Sequence, residues 1–180
     1  REKKLGKNTL KLELQLIVPQ IQFLTDAADL IKTDWEKIGI KLDLIKLNPS
    51  DINEDVIKNR NYQMLMFGNI LKNNPDIFSF WHSSEKFYPG LNLSLFQNKK
   101  ADESIEKIRK ETDMEKRVGE VGNLQEIITS ENPAIFLFSP YYLYASIKNL
   151  GGLGEKSLVI PSDRFKNVNE WYLETSRALK

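Results

Sequence analysis

Two stretches decide the fold: residues 10–19 read LKLELQLIVP, and residues 40–44 read IKLDL. In the first, leucines at every second position alternate mostly with polar side chains, which is the period of a half-buried strand. Between the two, from Ile21 to Ile38, apolar residues recur three and four positions apart and predict a helix with one apolar face. Gly39 is a natural end for that helix. Strand, helix and strand in this order predict a parallel βαβ unit.

The following residues extend the same order. Asp51 is predicted to cap a short helix that runs towards Asn59. The apolar run from Tyr62 to Phe67 predicts a third strand, buried on both faces. We therefore expect an α/β fold, with a mostly parallel sheet built from βαβαβ units and flanked by helices.

The C-terminal half continues with two helical patterns, over residues 101–112 and 114–128, with Asp113 as the N-cap of the second. Pro133 is expected to stop that helix. Residues 134–138 and 141–147 then predict a pair of strands separated by Ser139-Pro140. The tail from Gly151 onward is glycine-rich at first and then polar.

The composition excludes several classes of function. The 180 residues suit one domain, 41% of them are apolar, and 26 Lys+Arg against 25 Asp+Glu give no reason to expect binding to nucleic acid. The absence of cysteine excludes disulfides and thiolate metal sites. No apolar run reaches the ~20 residues of a transmembrane helix. The chain begins at Arg1 without a signal peptide, and we interpret it as a piece of a longer protein.

The residues that could carry covalent chemistry have simpler interpretations. His82 is the single histidine, and we expect its imidazole to form hydrogen bonds within a loop rather than to bind a metal. A triad of Ser83 or Ser84 with His82 remains open, although no nucleophile-elbow pattern surrounds them. Asp102 and Glu103 lie at the start of a predicted helix, where the helix dipole stabilises negatively charged carboxylates. We predict no catalytic residue, no metal site and no cofactor.

A long irregular stretch, residues 68–98, begins where the third predicted strand ends. Ligands of open parallel sheets bind beyond the carboxyl ends of the strands, and a loop of this length is usually functional. It combines aromatic side chains with asparagine amides, a mixture that suits a pocket for a small ligand. The predicted ligand-binding residues are Gly68, Asn69, Asn73, Asn74, Asp76, Trp81, His82, Tyr88 and Asn92.

Several segments, taken in order, resemble family 5 solute-binding proteins, the dipeptide- and oligopeptide-binding class that serves ABC importers. Residues 33–40, TDWEKIGI, are similar to the helix-to-strand junction of that family. Asn74-Pro75-Asp76 resembles its Asp-Pro-Asp loop. Further matches lie in residues 91–102, 113–117, 126–128 and 132–135.

The resemblance implies a periplasmic-binding-protein-like lobe of a two-lobed, extracytoplasmic protein that is not an enzyme. Residues 1–147 would form the second lobe, and residues 148–180 would return to a first lobe outside this chain. Such a protein, often a lipoprotein, closes its lobes around a peptide and passes it to the membrane permease of an ABC importer. The alternatives are a peptide-sensing module without a transporter, a binding protein for a non-peptide solute, and a small hydrolase that uses His82.

One departure from the family bears on the ligand. Its peptide binders pair the free amino group of the ligand with an aspartate four residues before the loop proline. In this chain that position is Leu71, which cannot form a charge-assisted hydrogen bond. Asp76 could take the role, but capping a short helix over residues 77–81 is its simpler interpretation. We therefore predict that no carboxylate of this loop recognises a free peptide amino terminus.

Overall fold

The computed structural model describes residues 2–5, 8–69, 76–154, 158 and 160–174. The contacts within the chain divide it into two units. The first unit holds residues 1–68 and 77–134, and the second holds residues 69–76 and 135–180. The predicted boundary after residue 147, which concerns a lobe outside this chain, stays a prediction.

The first unit contains the predicted parallel sheet. Its strands are β1 (Glu2–Leu5), β2 (Asn8–Lys11), β3 (Glu13–Pro19), β4 (Lys41–Leu47) and β5 (Met64–Leu65). The first two form an antiparallel hairpin, whereas the others form a sheet in the order β4-β3-β5, with both pairs parallel. Leu16 lies opposite Leu44 on one side and Met64 on the other. The predicted α/β fold with a parallel sheet is confirmed.

Helix α1 (Gln22–Lys37) covers one face of this sheet, as its apolar stripe predicts. The helix ends just before Gly39, whose φ of 80° is a conformation that glycine adopts without strain. Partly buried side chains of α1 pack against a core shared with the strands. The buried members of that core are Leu16, Val18, Ala28, Leu42 and Met66.

The other face carries α2 (Pro49–Asp51), which continues as a π-helical stretch over Ile52–Ile57. The core on this side joins Ile17 of β3 to three buried residues of that stretch, among them Ile52 and Val56. The prediction that Asp51 caps the helix was wrong. Pro49 begins the helix because its fixed φ suits the first turn, so that Asp51 lies two residues later, within that turn and next to the π-helical stretch.

A third core lies under a helical hairpin. Helix α3 (Phe78–Trp81) is followed by a 3-10 turn over Ser83–Glu85, and then by α4 (Lys99–Lys110) and α5 (Met114–Glu131). The Asp113 side chain accepts hydrogen bonds from the backbone N–H groups of Glu115 and Lys116, which confirms the predicted N-cap. The buried residues here are Phe96, Ala101, Ile105, Ile108, Leu124 and Ile128.

The second unit differs from what the sequence predicts. Residues 134–138 and 141–147 were predicted as strands, and this prediction was wrong, because no described strand pairs with them. The described strands of this unit are β6 (Leu150–Gly151) and β7 (Tyr172–Leu173), which form a small antiparallel pair. Two 3-10 turns, Pro161–Phe165 and Val168–Glu170, lie between them.

Residues 135–147, hereafter the apolar segment, expose nearly all of their large side chains. Tyr141 is 94% and Leu143 97% accessible, and Ile135 and Phe136 are exposed as well. The physical reason for the missing strands is visible here. A strand forms when its backbone groups pair with those of a neighbouring strand, and none of the described strands pairs with this segment.

Candidate ligand-binding site

The predicted site residues around the end of β5 are only partly described. Gly68 is exposed, and a Cβ added to it would meet open space within the described chain. Asn69 and Asp76 belong to the second unit, where both are exposed. Asn73 and Asn74 lie outside the described residues, as does Leu71, so the proposed roles of this loop stay predictions.

Asn92, in contrast, lies inside the first unit, with no accessible surface. Its side-chain N–H₂ group lies 2.8 Å from the carbonyl oxygen of Phe96 and 3.1 Å from that of His82. The carbonyl oxygen of Trp81 is a third acceptor, at 3.4 Å. Its side-chain oxygen accepts from the Phe96 N–H at 3.0 Å and the Ser94 hydroxyl at 3.2 Å. A buried amide with this many partners organises the loop backbone, and it leaves no group for a ligand. The Asn92 amide therefore supports the loop from inside the first unit.

Trp81, at the end of α3, is half-buried. Its ring packs against the core under the helical hairpin and meets the ring of Phe96 edge-on, with centroids 6.2 Å apart. Edge-to-face pairs stabilise a core beyond the area that they bury. Trp81 thus supports the packing of the first unit, and only its exposed edge is open to a ligand.

His82 forms hydrogen bonds within its loop, as its simpler interpretation predicts. The backbone N–H of Ser84 donates to Nδ1 at 3.2 Å, and the Ser84 hydroxyl lies 2.8 Å from the same nitrogen. Nε2 faces Asp102 at 3.9 Å and Glu106 at 3.7 Å, both beyond hydrogen-bond distance. The imidazole caps the 3-10 turn that follows it.

This geometry weakens the hydrolase alternative. The nitrogen nearest to the Ser84 hydroxyl already accepts a backbone N–H, and the other nitrogen is too far from Asp102 for the orienting bond of a triad. Ser83, the second candidate, directs its hydroxyl to the Asp102 carboxylate at 2.5 Å and not to His82. Both serines act in the local structure of the loop.

Two aromatic side chains of the same loop face solvent. Phe87 is 68% and Tyr88 61% accessible, and the Lys58 ammonium lies 5.8 Å from the centre of the Tyr88 ring. The loop beneath them is firm, because Gly90 is buried and packs so tightly that an added Cβ would lie 2.3 Å from the Glu85 carbonyl oxygen. Exposed aromatics on a rigid base are suited to contact a ligand.

Sequence reasoning missed the two residues that hold this loop in place. Arg60 donates from Nε to the Lys86 carbonyl at 2.8 Å and from Nη2 to the Gly90 carbonyl at 2.6 Å. The Tyr62 hydroxyl donates to the Leu93 carbonyl at 2.5 Å. Neither belongs to a motif, and an arginine in a turn predicts solvent exposure, so no signal in the sequence points to them.

Burial raises the pKa of Tyr62 above its ordinary value, and this effect is opposed by the nearby positive charge of Arg60. The phenol therefore stays protonated at physiological pH and keeps its hydrogen bond to Leu93.

The described residues contain no group of three or more His, Cys, Asp or Glu that could hold a metal ion. A shallow hollow of about 500 Å³ lies between α4 and α5, with Lys107, Lys110, Lys116 and Glu120 among its lining residues. The predicted site residues are not among those that line it.

Comparisons with known proteins show which of them share this fold. Neither a family model nor a curated protein matches the sequence. Solved structures do match. The oligopeptide-binding protein AppA of Bacillus subtilis, solved with a nonapeptide, superposes with a TM-score of 0.72 at 22% identity, over 94% of this chain and 33% of that one. The chain has the fold of one part of such a binding protein.

Two further structures agree. The putative peptide-binding protein AppA from Clostridium difficile matches with a TM-score of 0.72 at 18% identity, over 92% of this chain and 34% of that one. NikZ of Campylobacter jejuni, in complex with Ni(L-His), matches with a TM-score of 0.67 at 19% identity, over 94% of this chain and 36% of that one. The resemblance to family 5 solute-binding proteins is confirmed at the level of the fold, and the chain spans about a third of their length.

In the part of the chain that the structure describes, no helix is both long and apolar enough to cross a bilayer.

Proposed function

We propose that this chain is part of an extracytoplasmic solute-binding protein that captures a peptide and delivers it to an ABC importer. The observation that carries the proposal is the superposition of nearly the whole chain on an oligopeptide-binding protein solved with a nonapeptide. A second neighbour is a periplasmic murein tripeptide-binding protein. The proposed activity is binding without covalent chemistry, and the local capping roles of His82 and Ser84 are consistent with it.

The proposed protein has two lobes that close around the ligand by a hinge motion. The first unit would be the core of one lobe. The apolar segment and the C-terminal tail would pack on the other lobe, which lies outside this chain. The exposure of Tyr141 and Leu143 supports this arrangement, because contiguous exposed apolar surface marks a site of contact with another body.

Within the first unit, the proposed ligand contacts are Gly68, Tyr88 with its neighbour Phe87, and the exposed parts of Trp81 and His82. The contacts proposed from the sequence alone are Asn69, Asn73, Asn74 and Asp76. With leucine at position 71, we propose that the free amino group of a peptide is not bound by a carboxylate of this loop.

The first experiment is mass spectrometry of the solute that copurifies with the full-length protein, followed by calorimetry with that solute. For a peptide, matched free and N-acetylated forms should bind with similar affinity. A loss on the order of 2 kcal/mol upon acetylation, abolished by Asp76→Asn, would assign the amine to Asp76 instead. Recovery of only non-peptide solutes would contradict the peptide proposal but not the solute-binding one.

A binding protein for a non-peptide solute is the second candidate. The observations that favour it are Leu71, which lacks the carboxylate expected for a peptide amine, and the structural match to NikZ, whose solved ligand is Ni(L-His). A sensing role without a transporter is a further alternative. A permease gene beside the gene of this protein would favour transport, whereas a signalling domain fused to the chain would favour sensing.

A further inference from the structure

We propose that Arg60 and Tyr62 are positioning residues for ligand binding: they hold Phe87 and Tyr88 in the orientation in which a ligand meets them. The inference rests on the proposed function, since it takes the exposed pair Phe87 and Tyr88 as a ligand-contacting surface. Neither Arg60 nor Tyr62 needs to touch the ligand. Their effect passes through the loop of residues 86–93, hereafter the aromatic loop.

Arg60 connects three backbone segments through one guanidinium group. Its N–H groups donate to the carbonyls of Ile57, Lys86 and Gly90, so that the end of the π-helical stretch is tied to both ends of the Phe87–Pro89 turn. A planar guanidinium presents several donors in a fixed fork, which an ammonium cannot reproduce. Lysine at this position would satisfy fewer of the three carbonyls.

The backbone of Arg60 adds a second indication. Its φ is 53°, in the left-handed region that disfavours residues with a side chain. Unfavourable backbone conformations persist where the surroundings determine them, and they are concentrated at functional positions. Here the conformation is held by the backbone bonds that end the helical stretch, from the Arg60 N–H to the Ile57 carbonyl and from the Asn61 N–H to the Val56 carbonyl, together with the guanidinium contacts.

Tyr62 secures the far end of the aromatic loop. Its ring packs with the core on the α2 side of the sheet, and its hydroxyl reaches the Leu93 carbonyl, which comes just after the loop residues that Arg60 holds. The loop is also tied at its base, where the Leu91 and Asn92 N–H groups donate to the carbonyls of Ser79 and Glu85. A segment fixed at so many points has no need to expose two aromatic rings for its own stability.

The exposed pair therefore indicates contact with something outside this unit. Large aromatic side chains on a preorganised loop lose little conformational entropy when a ligand binds, which makes them efficient contacts. Holding the loop in advance is the contribution that we assign to Arg60 and Tyr62.

The test is a double-mutant cycle in the full-length protein, with calorimetry on the tightest binder from a panel of free tripeptides to nonapeptides. Arg60→Lys and Arg60→Ala should each weaken binding, and Tyr62→Phe should weaken it less. Because Arg60 acts through the loop, its effect should vanish in a Tyr88→Ala background, with a coupling of at least about fivefold in Kd. Arg117→Ala, on α5, is the matched control and should bind like the wild type. Unchanged affinity in both Arg60 variants, or strictly additive losses, would overturn the proposal.

Hydrogen exchange without ligand separates this proposal from the proposed function. Arg60→Lys should speed exchange at the amides of Gly90, Leu91 and Asn92, while the amides of β3 stay protected. Equal protection in both proteins contradicts the positioning role, whatever the ligand is. If Tyr88→Ala and Phe87→Ala bind like the wild type, the ligand surface itself is wrong. If no peptide of the panel binds, the peptide class is wrong, and the exchange data alone decide on Arg60.

Discussion

The first unit and the apolar segment contain similar residues but place them differently. In the first unit, isoleucine, leucine and valine side chains meet across the sheet and the helical hairpin, and Val18, Leu42 and Ile105 are almost inaccessible. In the apolar segment, Ile135 and Leu143 are exposed, although the pattern around them predicts strands. The difference shows that an apolar pattern indicates a need for burial, but does not say which part of a protein provides the cover.

The largest expected effect is a direct test of this difference in the isolated chain. Leu42→Ala should lower the free energy of unfolding by about 2–5 kcal/mol, because it leaves a cavity in a packed core. Leu143→Ala, the same chemical change at a 97% exposed position, should stay within about 0.5 kcal/mol of the wild type. Urea denaturation of both variants measures the contrast. Equal losses would mean that the apolar segment is buried in solution.

The same two substitutions, made in the full-length protein, test whether the apolar segment is covered there. If the apolar segment packs on the other lobe, Leu143→Ala should there cost on the order of 2 kcal/mol, as a buried leucine does. Leu42→Ala serves as the reference, since its environment lies within the first unit and should not change. A negligible cost of Leu143→Ala in the full-length protein would contradict the proposed contact.

A smaller loss of stability is expected when a buried hydrogen-bonding group of the first unit is removed. Asn92→Ala should destabilise the chain by about 1–3 kcal/mol, because it leaves buried carbonyl and N–H groups of the loop without a partner. Asn123→Ala is the matched control, since Asn123 is exposed on α5, where alanine favours the helix. Thermal unfolding of the two variants measures the difference. If Asn92→Ala were as stable as Asn123→Ala, the amide would not organise the loop.

The smallest effect is a dependence on pH. Because burial raises the pKa of Tyr62, the folded state holds the phenol proton more tightly than the unfolded chain does. The resulting stability is fully present below the unfolded pKa, near 10, and is lost as the pH rises through the folded pKa. Tyr62→Phe should lack this loss, so that its stability difference from the wild type shrinks between pH 9 and strongly alkaline pH, measured by urea denaturation. A constant difference would contradict the shift.

Much of the first unit could be predicted from the sequence, because the interactions that form its helices act between residues close together in the chain. The spacing of apolar residues in α1 and the capping carboxylate of Asp113 act over a few residues, and both predictions were correct. The prediction that Asp51 caps the short helix was wrong because Pro49, two residues earlier, begins the helix. The strands expected over residues 134–138 and 141–147 failed because strand formation depends on a distant partner, which short-range patterns do not reveal.

The site was less predictable for the same reason. The sequence predicts that the Asn92 amide binds a ligand. It does not show that the partners of this amide are the carbonyls of His82 and Phe96. Arg60 was missed because its contacts lie 26 and 30 residues along the chain, at Lys86 and Gly90. Such long-range hydrogen bonds leave no periodic signal.

The composition of the apolar segment has a consequence for how the protein must be produced. Residues 135–147 contain no charged side chain and are rich in isoleucine, phenylalanine and tyrosine, which is the profile of an aggregation-prone stretch. Pro140 divides it into two shorter pieces, as gatekeeper residues do. While the polypeptide is being synthesised, this stretch is the place where a chaperone is most needed, and charged substitutions at Tyr141 or Leu143 should raise the soluble yield of the isolated chain.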